Sequence, residues 1–136
     1  MRIMCDTNVL LDVLLDRAPF ADASAEVLAL CENRTVEGFV SASCVTDIFY
    51  LVRKQTRNTN LAYHAVGKLL EILRVCSVTE EDVSDAFLQR ARDFEDCLVA
   101  TCAKSIGCDV IVSRNKKDFE AFGLPVLSPA ELIQQL

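Results

Sequence analysis

The chain has 136 residues, 51% of them apolar and 25% charged, with a net charge of −6. That size and balance fit one ordinary globular domain, residues 1–136, able to bury a core of its own, and no run approaches the ~20 apolar residues of a membrane span. The acidic excess argues against broad, charge-driven nucleic-acid binding, though not against a nuclease whose own acids supply part of it, and no signal-peptide pattern opens the chain, so a cytoplasmic protein is expected.

Ile3-Met4-Cys5 reads as a buried strand, and Asp6-Thr7-Asn8 follows at once. Val9, Leu10, Val13 and Leu14 then recur at helical spacing, so Asp6 is expected where a strand ends and a helix begins. In an open parallel sheet the ligand crevice lies outside the carboxyl ends of the strands. After the break at Arg17-Ala18-Pro19, with Pro19 in the first turn, a helix runs to about Asn33. Gly38 marks a turn and Phe39-Val40 a short second strand. Ser41 or Ser43 caps the next helix, whose stripe is Val45, Ile48, Phe49 and Val52. A further helix carries Leu61, Ala65, Leu69, Leu70 and Leu73.

Val75 to Val78 reads as a third strand. Thr79 caps a helix with Glu80, Glu81 and Asp82 in its first turn and Phe87 and Leu88 as its core anchors. The next helix opens at Asp93-Phe94-Glu95-Asp96 and ends near Ile106, where Gly107 supplies a left-handed cap. Val110 to Ser113 is the clearest strand, followed by a turn and helix start at Arg114 to Phe119. Pro125 to Leu127 is a last edge strand, and Ser128-Pro129 opens a final short helix. Strands alternating with helices predict an α/β fold: a three-layer α/β/α sandwich around a mainly parallel sheet.

Four acids stand out. Asp6 either caps its helix or faces the crevice, and Thr7 or Asn8 could cap instead. Asp47 lies about 160° from the centre of its helix's apolar stripe, counting ~100° per residue, and alone reads as a solvated surface residue. Asp96 opens a helix that is apolar on nearly all sides and therefore buried. An unpaired charge there costs several kcal/mol, which a cation would offset. Asp93, one turn earlier, faces the same place or only caps. Asp118 sits in a first helical turn beyond the last strong strand, with Ser113 and Asn115 as candidate water or metal contacts. An all-oxygen set suits Mg²⁺ or Mn²⁺ rather than zinc. His64 is the only histidine, and the seven cysteines (5, 31, 44, 76, 97, 102 and 108) include no C-x-x-C pair. They read as small buried hydrophobes without disulfides. Neither a phosphate-binding G-x-x-x-x-G-K-S/T loop nor a G-x-G-x-x-G turn is present.

At Met4 to Asp12, Asp93 to Leu98 and Val112 to Phe119 the chain resembles the PIN-domain proteins, most of all the VapC-like toxin ribonucleases of toxin–antitoxin pairs. The resemblance implies a ribonuclease that hydrolyses RNA phosphodiester bonds with Mg²⁺ or Mn²⁺. Asp6, Asp96 and Asp118 take the places of metal-holding acids, and Asp47 falls where the family more often has the longer Glu. Thr7, Asn8, Asp93, Ser113 and Asn115 stand beside them as supporting groups. Arg53, Lys54, Arg57, Arg114, Lys116 and Lys117 neighbour proposed acids and are candidate phosphate contacts. A small antitoxin protein and a homodimer are implied partners. The alternative is a PIN scaffold that binds RNA or protein with little or no cleavage, which the shorter Asp47 favours. A receiver domain would need an acid pair after the first strand, which Asp6-Thr7 does not supply.

Overall fold

Four short apolar segments and one at the end of the chain pair into a single sheet in the computed structural model, which describes residues 1–136. The strands are β1 (Arg2–Cys5), β2 (Glu37–Ser41), β3 (Arg74–Cys76), β4 (Val110–Val112) and β5 (Val126–Leu127). Their order is β3-β2-β1-β4-β5 and every neighbouring pair is parallel. The chain steps outward from β1 to β3, then returns to the other side of β1 for β4 and β5. The order therefore reverses between β1 and β4, and the crevice at their carboxyl ends is where such sheets bind ligands.

Eight helices cover the sheet: α1 (Thr7–Leu14), α2 (Ala21–Glu32), α3 (Ala42–Thr56), α4 (Thr59–Ile72), α5 (Glu80–Leu88), α6 (Phe94–Ser105), α7 (Lys116–Phe119) and α8 (Pro129–Gln135). They fall into two packed groups, α1 to α4 with α8, and α5 to α7, which form the two outer layers of the predicted sandwich. Ile3, Met4, Leu10, Val40, Ile48, Ile111, Phe119 and Leu132 are sealed from solvent at the centre. All seven cysteines are free and buried, as their apolar surroundings predict.

Four local expectations are corrected. Pro19 precedes its helix: the N–H groups of Phe20 and Ala21 both bond to the Arg17 carbonyl, closing a turn before α2 starts at Ala21. Gly38 lies inside β2, not in a turn. A Cβ there would stand 2.5 Å from Cys31 Sγ and 2.6 Å from Leu73 Cδ2, so glycine is needed for the close approach of its neighbours. The third strand begins at Arg74 and stops at Cys76, because Cys76 opposite Ser41 is its last pairing with β2. Phe87 and Leu88 are not core anchors; they are 52% and 73% exposed. The Asp82 carboxylate closes a capping box with Thr79 and accepts the Ser105 hydroxyl at 2.8 Å. This turns the Asp82–Ala86 edge of α5 inward and leaves Phe87 outside, under the Arg90 guanidinium at 4.4 Å.

Candidate active site

Asp6 stands at the switch point. Its N–H bonds to the Val112 carbonyl at 2.9 Å, continuing the β1–β4 ladder by one step. Its carboxylate accepts the Thr7 N–H at 2.8 Å and the Ser113 hydroxyl at 2.8 Å. Ser113 is sealed from solvent and in turn accepts the Asn115 N–H at 3.0 Å. Asp6 thus both caps α1 and faces the crevice. Burial pushes its carboxyl up; the Ser113 and Thr7 hydrogen bonds oppose that, the Asp118 charge adds to it, and the Arg114 charge opposes it.

Asp96 enters from the other helical layer. Its N–H bonds to the Asp93 carboxylate at 3.0 Å, so Asp93 is the N-cap of α6. The Asp96 carboxyl is pushed up to about 7, first by burial and then by the negative charges of Asp93, Asp6, Asp118 and Glu95. Asp93 thus caps the helix, and its charge also reaches Asp96. Asp118 is an exposed first-turn acid of α7 whose charge reaches both Asp6 and Asp96.

Glu95 has no place among the residues picked out from the sequence. Its carboxyl is raised by burial, by a hydrogen bond to Asp47, and by the charges of Asp47, Asp93 and Asp6. Asp47 is half-buried rather than solvated, and it meets the acidic centre through Glu95. The only hint in the sequence is position, since Glu95 directly precedes Asp96. First-turn acids are so often there for the helix dipole that position alone does not single one out.

No three of these acids form a ready-made cage for an ion. The donor chemistry nevertheless fits a hard divalent cation: carboxylates only, drawn from both helical layers and held in mutual repulsion. The influences on Asp96 are burial and negative charge, with no cation among them. Asn8, two residues after Asp6, has a buried side-chain oxygen without a hydrogen-bond partner.

The basic candidates divide. Arg114 is already engaged: its Nε and one terminal nitrogen bond the fully buried Asp12 carboxylate at 2.6 and 3.1 Å. A buried carboxylate needs such a partner, so Arg114 is a structural counter-charge before it is a phosphate contact. Lys116 pairs with Glu131 at 3.0 Å. The Glu131 carboxyl is held down to about 2, first by its hydrogen bond from the Ser128 N–H and then by Lys116. Lys117 is exposed. Arg53, Lys54 and Arg57 are exposed at the far end of α3. At ~1.5 Å per residue they lie roughly 9 to 15 Å along the axis from Asp47, so nearness in sequence does not carry them to the crevice. Arg53 rests over the Tyr50 ring at 5.0 Å. A surface recess of about 530 Å³ among Glu32, Arg34, Glu37 and Arg74 lies at the opposite end of the sheet.

A parallel α/β sheet with Asp6 at its switch point, under the influence of acids from a second helical layer, fits the architecture of a PIN domain. Residues 2–117 match the PIN domain family, and the chain belongs to it. It is similar to Ribonuclease VapC1 of Aquifex aeolicus, with 22% identity over 139 residues, 98% of this chain and 94% of that protein. Among solved structures it resembles DNA-bound VapBC of Salmonella typhimurium, with a TM-score of 0.73 and 19% identity over 95% of this chain and 98% of that one. It also resembles VapC20 of Mycobacterium tuberculosis, a sarcin–ricin loop cleaving toxin, with a TM-score of 0.71 and 17% identity over 90% and 95%. At these identities the structural likenesses establish the fold.

Proposed function

We propose that this chain is an endoribonuclease that uses Mg²⁺ or Mn²⁺ and acts as the toxin of a toxin–antitoxin pair. One observation carries the reading: Asp6, just after β1, and Asp118, on α7, both bring their negative charge to bear on Asp96 of α6, and Asp118 bears on Asp6 as well. Membership of the PIN domain family and likeness to Ribonuclease VapC1 support the substrate class.

Asp6 and Asp96 would hold the ion, with Asp118, and Asp47 acting through Glu95, completing its surroundings. When bound, such an ion lowers the pKa of an attacking water and neutralises charge on the phosphate. The remaining groups position. Ser113 fixes one oxygen of Asp6, Thr7 fixes the other, and Asp93 anchors the first turn of α6 so that Asp96 keeps its place. Asp47 adds its negative charge to Glu95, whose carboxyl is raised by burial and then by Asp47. Thr7, Asn8 and Asn115 belong to the same rim, and Lys117 is the basic group beside it left free for phosphate.

The solved relatives that pair VapC with VapB suggest a small antitoxin protein as partner. A second copy of the chain and a cytoplasmic setting complete the proposal. No helix is long and apolar enough to cross a membrane. Asp6→Asn and Asp96→Asn, assayed on a single-stranded RNA pool with Mg²⁺ or Mn²⁺, should each lose at least about a hundredfold in cleavage rate, since such a loss matches removal of a main charge-stabilising group. Full activity in either would falsify the assignment. The second reading is a scaffold that binds without cutting. It is favoured by Asp47, whose shorter side chain is already engaged with Glu95, and ion binding by wild type without cleavage of any RNA would establish it.

A further inference from the structure

Beside the carboxylates lies a second recess that the catalytic reading does not use. It opens between the turn entering α2 and the start of α8, holds about 320 Å³, and is walled chiefly by Pro19, Phe20, Ser24, Arg114, Pro129 and Ala130. None of its lining residues is acidic, in contrast to the crevice next door. Arg114 links the two, because the neighbouring Ser113 bonds Asp6.

Three features define what would fit. The Arg114 guanidinium lies 4.0 Å over the Phe20 ring, and Phe20 is 41% exposed, so a stacked pair of flat groups stands open at the wall. Arg114 spends only Nε and one terminal nitrogen on Asp12, which fixes it and leaves donors on its other nitrogen. Ser24 is wholly buried, and its hydroxyl has no hydrogen-bond partner in the protein. The volume matches the lower end of pockets that take small flat ligands. A carboxylate is not called for, since Asp12 already neutralises Arg114. A purely apolar side chain would leave both the Ser24 hydroxyl and the Arg114 donors unsatisfied. A flat ring bearing polar edge atoms satisfies all three features.

We propose that this recess receives an unpaired nucleobase of the RNA, next to the phosphate that would meet the ion held by the acids, and stacked on the Phe20–Arg114 pair. The proposal rests on the ribonuclease reading for its substrate. Stacking tolerates any base, while polar edge contacts bias the choice, so the recess sets where along a single strand the chain acts.

The test separates base from charge. Full-length protein in EDTA is titrated with labelled single-stranded octamers of A, C or U, and with an abasic ribose-phosphate octamer of equal charge. Phe20→Ala should weaken binding of the base-bearing octamers by roughly 5- to 150-fold, the range of one lost base–aromatic stack, and leave the abasic octamer unchanged. Ala130→Leu, which narrows the recess from an exposed position, should do the same while preserving the fold if Phe20→Ala does not. Wild-type affinities in both folded variants would overturn the proposal, as would equal weakening of the abasic octamer. Unchanged octamer binding with altered capture of a co-expressed protein partner would overturn it in favour of a peptide pocket. Cleavage with Mg²⁺ is read separately. Intact RNA with wild type sinks the ribonuclease reading, whereas unchanged octamer affinities sink the recess alone.

Discussion

The two edges of the sheet treat the same residue types in opposite ways. At the amino ends of the strands Glu37 faces Arg74 at 2.7 Å and Arg2 at 3.4 Å, and Asp109 accepts the Arg2 N–H at 2.8 Å. The hydrogen bond from Arg74, followed by the charge of Arg2 and then that of Arg74, holds the Glu37 carboxyl below its ordinary range. At the carboxyl ends, Asp6, Glu95 and Asp96 are all raised, with burial as the largest cause and neighbouring acids adding to it. One edge is a set of matched surface charges that folding tolerates easily. The other is an unmatched set that folding alone has no reason to assemble, and that contrast is the physical signature of a site built for something positive.

The comparison breaks most visibly at Asp96. A carboxyl near 7 in the fold, against 3.8 ordinarily, binds its proton more tightly folded than unfolded. Its ionisation therefore costs stability progressively as pH rises from about 4 through about 7. Thermal unfolding of the metal-free protein should show that decline, Mg²⁺ should flatten it, and Asp96→Asn should remove it while also abolishing cleavage. An Asp96→Asn chain with the wild-type pH slope would show that the repulsion lies elsewhere. Glu37 has the opposite sign: its contribution is present above the ordinary carboxylate range and fades as pH falls.

Glu95→Gln sharpens the picture on a smaller scale. Removing one charge of the pair with Asp47 should lower Mn²⁺ affinity by about tenfold, in line with loss of one group supporting a metal site. Calorimetric titration reads this without any substrate, and unchanged affinity would leave Glu95 a bystander. Arg74→Ala belongs to the quiet edge. An exposed pair is worth at most about 1 kcal/mol, so denaturant unfolding should shift by no more than that, with cleavage unaffected.

Much of this was readable in the residues themselves. Asp6 could be placed at a strand end by Ile3-Met4-Cys5 before it and the helical repeat after it. Asp96 betrayed itself by sitting in a helix with scarcely any polar side. The alternation of strands and helices gave the layers. Other features depend on distances along the chain that no local pattern encodes. Arg114 looked like a free cation because its partner, Asp12, is 102 residues away. Asp47 looked solvated because Glu95 lies on a different helix. Phe87 and Leu88 looked like anchors because an apolar pair normally turns inward, and only the bond between Asp82 and Ser105 shows which edge of α5 does so.

The bond from Ser113 to Asp6 also spans most of the polypeptide, its partners 107 positions apart. During translation the first half of the crevice emerges long before the second, and Asp12 and Asp6 both await groups that follow β4. A nascent chain that has not yet made β4 lacks Ser113, Arg114 and Asp118 alike. The two sides of the crevice therefore meet only once β4 and the turn after it have been made, near the end of synthesis.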